Sequence, residues 1–504
     1  MSIYYDHHTQ RIRVPHTRAE YLQALGSTRP CGIHLYAAID DRLDYRVQFR
    51  HEHAHFASFQ ATGLAELQAI FSDYKLFLFH LIVRHFYQEG SGKLRVPLIR
   101  RHDASSELNS LIGRAIKQIN QQESLFFGYG TNASIDELFS THIQEELVKK
   151  LSNGRSYIVP NMMRYRKFLR QMRFATDPTI AMHPDAASVF IQFGESEKIR
   201  VSSRSVQEAY AITIEVISEY IKAIFTSLNS RGSESKRMPP KSNTVAITYI
   251  LSAITDTAIT LKDYVFGRAG ARIYWAVALV ALAAMQVPVM EDLEGEPIAM
   301  GSLKQLSPAT RLGFILKAIE SGTIPNPLKT YGQQDHDVLR WLDQAHSAIG
   351  DPWSLKFYMN IAHIIHSMPD EYRTKFKKFS MHKTSWAARS NFVTSPKDWI
   401  MEAGFFTENS PVQIRYIQTS DGSIITDAEP DVAQDQLVFE YLVDCGIHIL
   451  EAMIFDDKWH SDWDKVGPNY SDVEQIAGIK AALIMYVFPG NANFLNDLQV
   501  EIAV

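Results

Sequence analysis

The stretch His51-Glu52-His53-Ala54-His55 puts three imidazoles and a carboxylate into five residues, in the pattern H-E-x-x-H. On a helix, residues four apart lie one turn above each other, so His51 and His55 can both reach a single zinc ion. Glu52 is then turned away by about 100°. From that direction a carboxylate can take a proton from water acidified by the metal and later hand it to a leaving amine. Two other arrangements stay open. In a strand, His51, His53 and His55 would share one face as an H-x-H metal site, although Ser58, Phe59 and Gln60 stand where such a site wants a glutamate. Alternatively the stretch is a histidine-rich helix start that binds nothing.

A catalytic zinc site needs three protein ligands and one open position. After His55 the next histidines are His80 and His85, about seven turns or more further along, so the third donor must come from another segment. Glu208, within "RSVQEAYAITIEV" (204–216), is the residue expected to supply it. It stands near a helix start, and small Ala209 and Ala211 would let two helices approach closely. A competing reading makes Ser205-Val-Gln-Glu208 a capping box, with the carboxylate bonded back to the Ser205 backbone. A helix beginning at Ser202 or Ser203 would free Glu208. Glu215 and Glu219 are alternative donors on the same helix. An electrophile (Tyr, His or Arg) should complete such a site, and Tyr210 is one candidate.

The elements that must position these groups follow from periodicity. Residues 32–39 and 44–49 have strand character, the second leading into the histidine cluster. From about 51 to 88, apolar residues recur every three or four positions, which predicts helix, with Gly63 dividing it in two. Residues 105–175 read as mostly helical, with Ser134-Ile-Asp-Glu137 as a capping-box start. A hairpin is expected over 188–201, turning near Gly194, then a helix over 204–228. The stretch 229–243, rich in Gly, Pro and Ser, reads as a surface loop open to proteolysis, including by the protein itself. Beyond it the chain is helix-rich, with a hairpin over 412–426 turning at Asp421-Gly422, and closing helices over 438–454 and 474–487. The expected fold is therefore mainly α with small β elements (α+β). Its parts are a metal-binding region over 1–228, the loop 229–243, and a helix-rich region over 244–504.

"HEHAHFASFQATGLAEL", followed about 150 residues later by "SVQEAYA", resembles a group of bacterial zincin-like metallopeptidases of gluzincin layout, some of them found among defence or stress-response loci. The resemblance covers roughly a quarter of the chain; His53-Ala54 fill the variable positions and Gln60 is displaced from the group pattern. It implies a zincin-like core in which His51, His55 and Glu208 ligate Zn2+ and Glu52 is the base, acting on a protein or peptide substrate.

Bulk properties bound the alternatives. In 504 residues, 46% are hydrophobic and 21% charged, as in a globular protein with a sizeable core. The net charge of −5 and the lack of a basic stripe argue against nucleic acid as a partner. Cys31 and Cys445 are the only cysteines, which excludes a disulfide framework or thiolate cage and suggests a reducing compartment. The apolar run 273–285 is short for a membrane span and reads as a buried helix. The first 15 residues lack the apolar core of a signal peptide, so a cytoplasmic location is expected. Other sparse signals are His363 with His366, the segment 460–464, and Cys445 with His448; each has a bland reading as core or surface. The rival to an enzyme is a non-catalytic helical scaffold or sensor with a structural or vestigial histidine cluster.

Overall fold

A computed structural model describes residues 3–6, 11–21, 45–101, 106–152 (without 131, 132 and 134), 165, 168, 189–193, 197–226, 238–255, 259–291, 297–299, 303–350, 388–402 (without 390), 416–425, 441, 445–455, 472–483 and 499–502. Within these the chain is mostly helical, with a small four-stranded sheet. That matches the mainly α expectation with small β elements.

The elements around the histidine cluster come from widely separated stretches of the chain. Strands β1 (Tyr4–Asp6) and β2 (Arg11–Arg13) pair antiparallel near the start of the chain. Helix α1 spans Tyr45–Ala61 and α2 spans Leu64–Glu89. Helix α3 (Ser106–Phe127) follows, then the hairpin β3 (Val189–Phe193) and β4 (Glu197–Val201). Next come α4 (Ser203–Thr226), α5 (Lys241–Ile254) and α6 (Ala271–Met285). Late in the chain, β5 (Tyr416–Gln418) and β6 (Ile424–Ile425) form a hairpin whose turn holds Gly422 at φ 82°. The sheet order is β1-β2-β5-β6, with β2 and β5 parallel. Strands from the expected first and last regions therefore share one sheet. Buried Arg11 ties it together, donating to Gln418 at 2.7 Å and to the Tyr441 hydroxyl.

Residues 44–49 correct the sequence reading. From Tyr45 onward the chain is helical, continuous with the cluster. No Gly or Pro interrupts Tyr45–Ala61, and Gln48, Arg50, Glu52 and Ala54 are good helix formers, so one β-branched residue, Val47, does not make a strand. The expected strand at 32–39 lies outside the described residues, as do the turn at 194–196, residues 227–237 of the expected loop, and the histidines at 363 and 366. The loop's last residues, 241–243, are the first turn of α5.

Gly63 separates α1 from α2 for a steric reason. Its φ of 82° lies in the left-handed region, and a Cβ there would stand 2.2 Å from an Arg389 guanidinium nitrogen and 2.7 Å from the Val287 carbonyl oxygen. Arg389 uses this close approach to donate to Val289 O at 3.1 Å and to reach buried Glu66 at 3.1 Å. Helix α6 is buried from Tyr274 to Met285. No described helix is long and apolar enough to cross a membrane.

Candidate metal centre

Helices α1 and α4 pack antiparallel: Arg50 meets Ser218 at 3.0 Å, His51 meets both Glu215 and Glu208, and His55 meets Glu208. Close contact is possible because Ala54 and Ala57 on one helix, and Ala209 and Ala211 on the other, are buried with no bulk to hold the axes apart. His51 and His55 face α4 together, their rings 4.9 Å apart at 80°.

The register of α4 decides what Glu208 can do. The helix starts at Ser203, and Ser202 and Ser205 cap it reciprocally: Ser205 N–H donates to Ser202 Oγ, and Ser202 N–H donates to Ser205 Oγ, both at 3.1 Å. The capping box thus sits one turn before the one that would have used Glu208, whose carboxylate is left to face α1.

Four candidate ligand atoms from three residues converge. His51 Nε2 and His55 Nε2 are 3.2 Å apart, His51 Nε2 is 3.3 Å from Glu208 Oε2, and His55 Nε2 is 3.4 Å from Glu208 Oε1. Two imidazoles and one carboxylate are a donor set that divalent transition metals accept, and one ligand atom from each residue lies within 4.8 Å of the others. Among the described residues this is the group able to hold a metal ion. His53, which a strand site would have recruited, turns away into the core beside Phe56. Tyr210 does not reach the cluster either, its hydroxyl donating to Trp399 O at 2.5 Å.

The surrounding groups were only partly foreseeable. Glu215 Oε2 accepts from His51 Nδ1 at 3.1 Å, which orients the ring and points Nε2 at the cluster. Its place, seven residues and two turns beyond Glu208, puts it on the same face of α4. Sequence reasoning named it as a substitute ligand; the structure gives it the outer side of His51. Arg204, one turn before Glu208, was missed, although the i, i+4 spacing signals the pair; its guanidinium lies 2.7 Å from Glu208 Oε1. Glu52 points towards β1 and accepts the Tyr5 backbone N–H at 2.8 Å. Nothing in the sequence signals a contact to a strand 47 residues earlier.

Electrostatics divide the two ligand histidines. Burial opposes charge on His51, but hydrogen bonds with Glu208 and Glu215 outweigh it and raise its pKa to about 10. His55 is pushed down to about 3, first by burial and then by Arg204. One positive charge fits between the carboxylates, and it sits on the ring that touches two of them. Glu208 is held well below the usual carboxylate range: burial works against this, but His55, His51 and Arg204 prevail. Glu52 is raised, chiefly by burial, with His51 and the Tyr5 amide pulling the other way. His51 thus lies between two carboxylates, 3.3 Å from Glu208 Oε2 and 3.1 Å from Glu215 Oε2. His55 Nδ1 is buried with no hydrogen-bond partner among the described residues, an unusual cost for a ligand histidine.

No family model, curated protein or solved structure matches the chain.

Proposed function

We propose that the chain is a zinc-dependent metallopeptidase in which His51, His55 and Glu208 hold the ion and Glu52 is the general base. The observation that carries this reading is the convergence of His51, His55 and Glu208 from two antiparallel helices, the two imidazole Nε2 atoms 3.2 Å apart and each within 3.4 Å of one oxygen of the Glu208 carboxylate. Zinc, when bound, supplies Lewis-acid polarisation of a carbonyl and lowers the pKa of water to roughly 7.

The chain's own residues account for the rest. Glu215 holds His51 with Nε2 turned inward, and Arg204 steadies Glu208 through Oε1. Glu52 sits on the neighbouring face of α1, fixed through one oxygen by the Tyr5 amide. Its burial raises its proton affinity towards that of a useful base, so it can accept the proton of an attacking water and pass it to the departing nitrogen. Support from the resemblance to gluzincin-like peptidases rests on these same residues.

A second reading has an observation of its own. The His51 imidazolium between Glu208 and Glu215 closes the cluster as a self-sufficient ion-pair network, which would suit a non-catalytic scaffold. Digestion of a peptide library by the zinc-supplemented chain separates the two. The peptidase reading expects cleavage by wild type and none by Glu52→Gln, with zinc retained in both. Zinc-loaded wild type that cuts no peptide, or a Glu52→Gln variant that cuts as well as wild type, defeats it.

A further inference from the structure

A metal site of this kind leaves one task unassigned: holding the oxygen that gains negative charge when water adds to the substrate carbonyl. Arg204 is the cation that lies against the Glu208 carboxylate. Its backbone N–H donates to Gly128 O at 3.0 Å, which anchors the first turn of α4 against the turn after α3. Its guanidinium meets Glu208 Oε1 at 2.7 Å, and among the described residues this is its one ion pair. A guanidinium carries five N–H donors in a planar fork, so one carboxylate contact leaves donors to spare. The side chain is 22% exposed whereas Glu208 is 4% exposed. Arg204 therefore lies on the solvent side of Glu208. Its charge also reaches Glu52, His55 and Tyr5.

We infer that Arg204 is a catalytic residue, the electrophile that donates to the carbonyl oxygen of the substrate amide as that oxygen becomes anionic. The inference rests on the metallopeptidase reading above and names its missing part. In the step it serves, a bond forms between the water oxygen and the carbonyl carbon, and the water proton goes to Glu52. The carbonyl π pair moves onto the oxygen that faces Arg204. A preformed cation at that point stabilises the developing charge without reorganising. Tyr210, the candidate suggested by sequence, is committed to Trp399 and is not available for this work.

The test uses acetohydroxamate, a small oxyanion probe for zinc sites, titrated by calorimetry into the zinc-loaded chain. Arg204→Ala should bind it about ten- to a hundredfold more weakly than wild type, the size of a lost charge-assisted hydrogen bond. Arg204→Lys should stay within a few-fold of wild type, and both variants should keep their zinc. Arg204→Ala binding within twofold of wild type, with zinc retained, overturns the inference while leaving the metal site intact. If Arg204→Ala fails to fold or to keep zinc, Arg204→Gln against Arg204→Lys carries the test, and equal affinities overturn it. A wild type that takes up no zinc removes the parent reading, and this role falls with it.

Discussion

In the proposed centre zinc must displace a proton from His51, and this sets a pH dependence that follows from the structure. The perturbation is titration of the metal-free chain with zinc at fixed pH. His51 has its pKa raised to about 10, so near neutral pH it is protonated; His55, lowered to about 3, and Glu208, held low, are already in their ligand forms. Only the neutral imidazole ligates. At pH 7 the competition amounts to about three pK units, which is about a thousandfold, or about 4 kcal/mol, off the intrinsic zinc affinity. The sign follows: affinity rises about tenfold for each pH unit until the pH approaches His51's own value. Calorimetry in two buffers of different ionisation enthalpy counts the protons released. At pH 6, below the range in which zinc acidifies water, about one proton per zinc should appear. Zinc binding with no proton release at pH 6, or an affinity flat from pH 6 to 8, would refute the assignment of the positive charge to His51.

The same linkage acts on the metal-free fold: a His51 pKa raised above its unfolded value contributes stability that is complete below about pH 6.5 and is lost as pH climbs towards about 10. Melting of the metal-free chain should therefore move to lower temperature between pH 6 and pH 9, and His51→Ala should remove most of that slope. Glu215→Ala should weaken zinc binding about 10- to 100-fold, since it removes the acceptor that orients His51 through Nδ1; a chelator-competition assay giving unchanged affinity would contradict that role. Gly63→Ala should destabilise the fold by about 2 kcal/mol or more in denaturant titration, because the new Cβ meets Arg389 and Val287 at a positive φ. Arg389→Met should cost about 3–5 kcal/mol by stranding buried Glu66, and a near-neutral effect would show that Glu66 is satisfied without it.

The helices that carry the cluster were legible because their signals are local. The three- and four-residue periodicity after position 51 and the break at Gly63 survive intact, and the hairpins at 189–201 and 416–425 sit where alternation and a turn-forming Asp-Gly put them. Residues 44–49 failed because a few apolar residues in alternation look alike in a short strand and in one helical turn. Strands β1 and β2 were missed: three residues each, they owe their order to pairing with β5, some 400 residues away, which no local pattern encodes. Convergence of 51, 55 and 208 was inferable from chemistry, since zinc needs a third donor and small residues flank Glu208. Whether Glu208 faced the cluster or its own helix cap turned on a register of one turn among Ser202, Ser203 and Ser205, where every residue is a competent N-cap. Tyr5's amide lay beyond reach, because a backbone donor has no sequence identity.

Metal content of the purified chain, dialysed against a slight excess of zinc and then desalted, addresses the coordination site itself. One zinc per chain is predicted for wild type and for Glu52→Gln, with none in His51→Ala or Glu208→Ala. A folded wild type that emerges without zinc, or a His51→Ala variant that keeps it, would contradict the account.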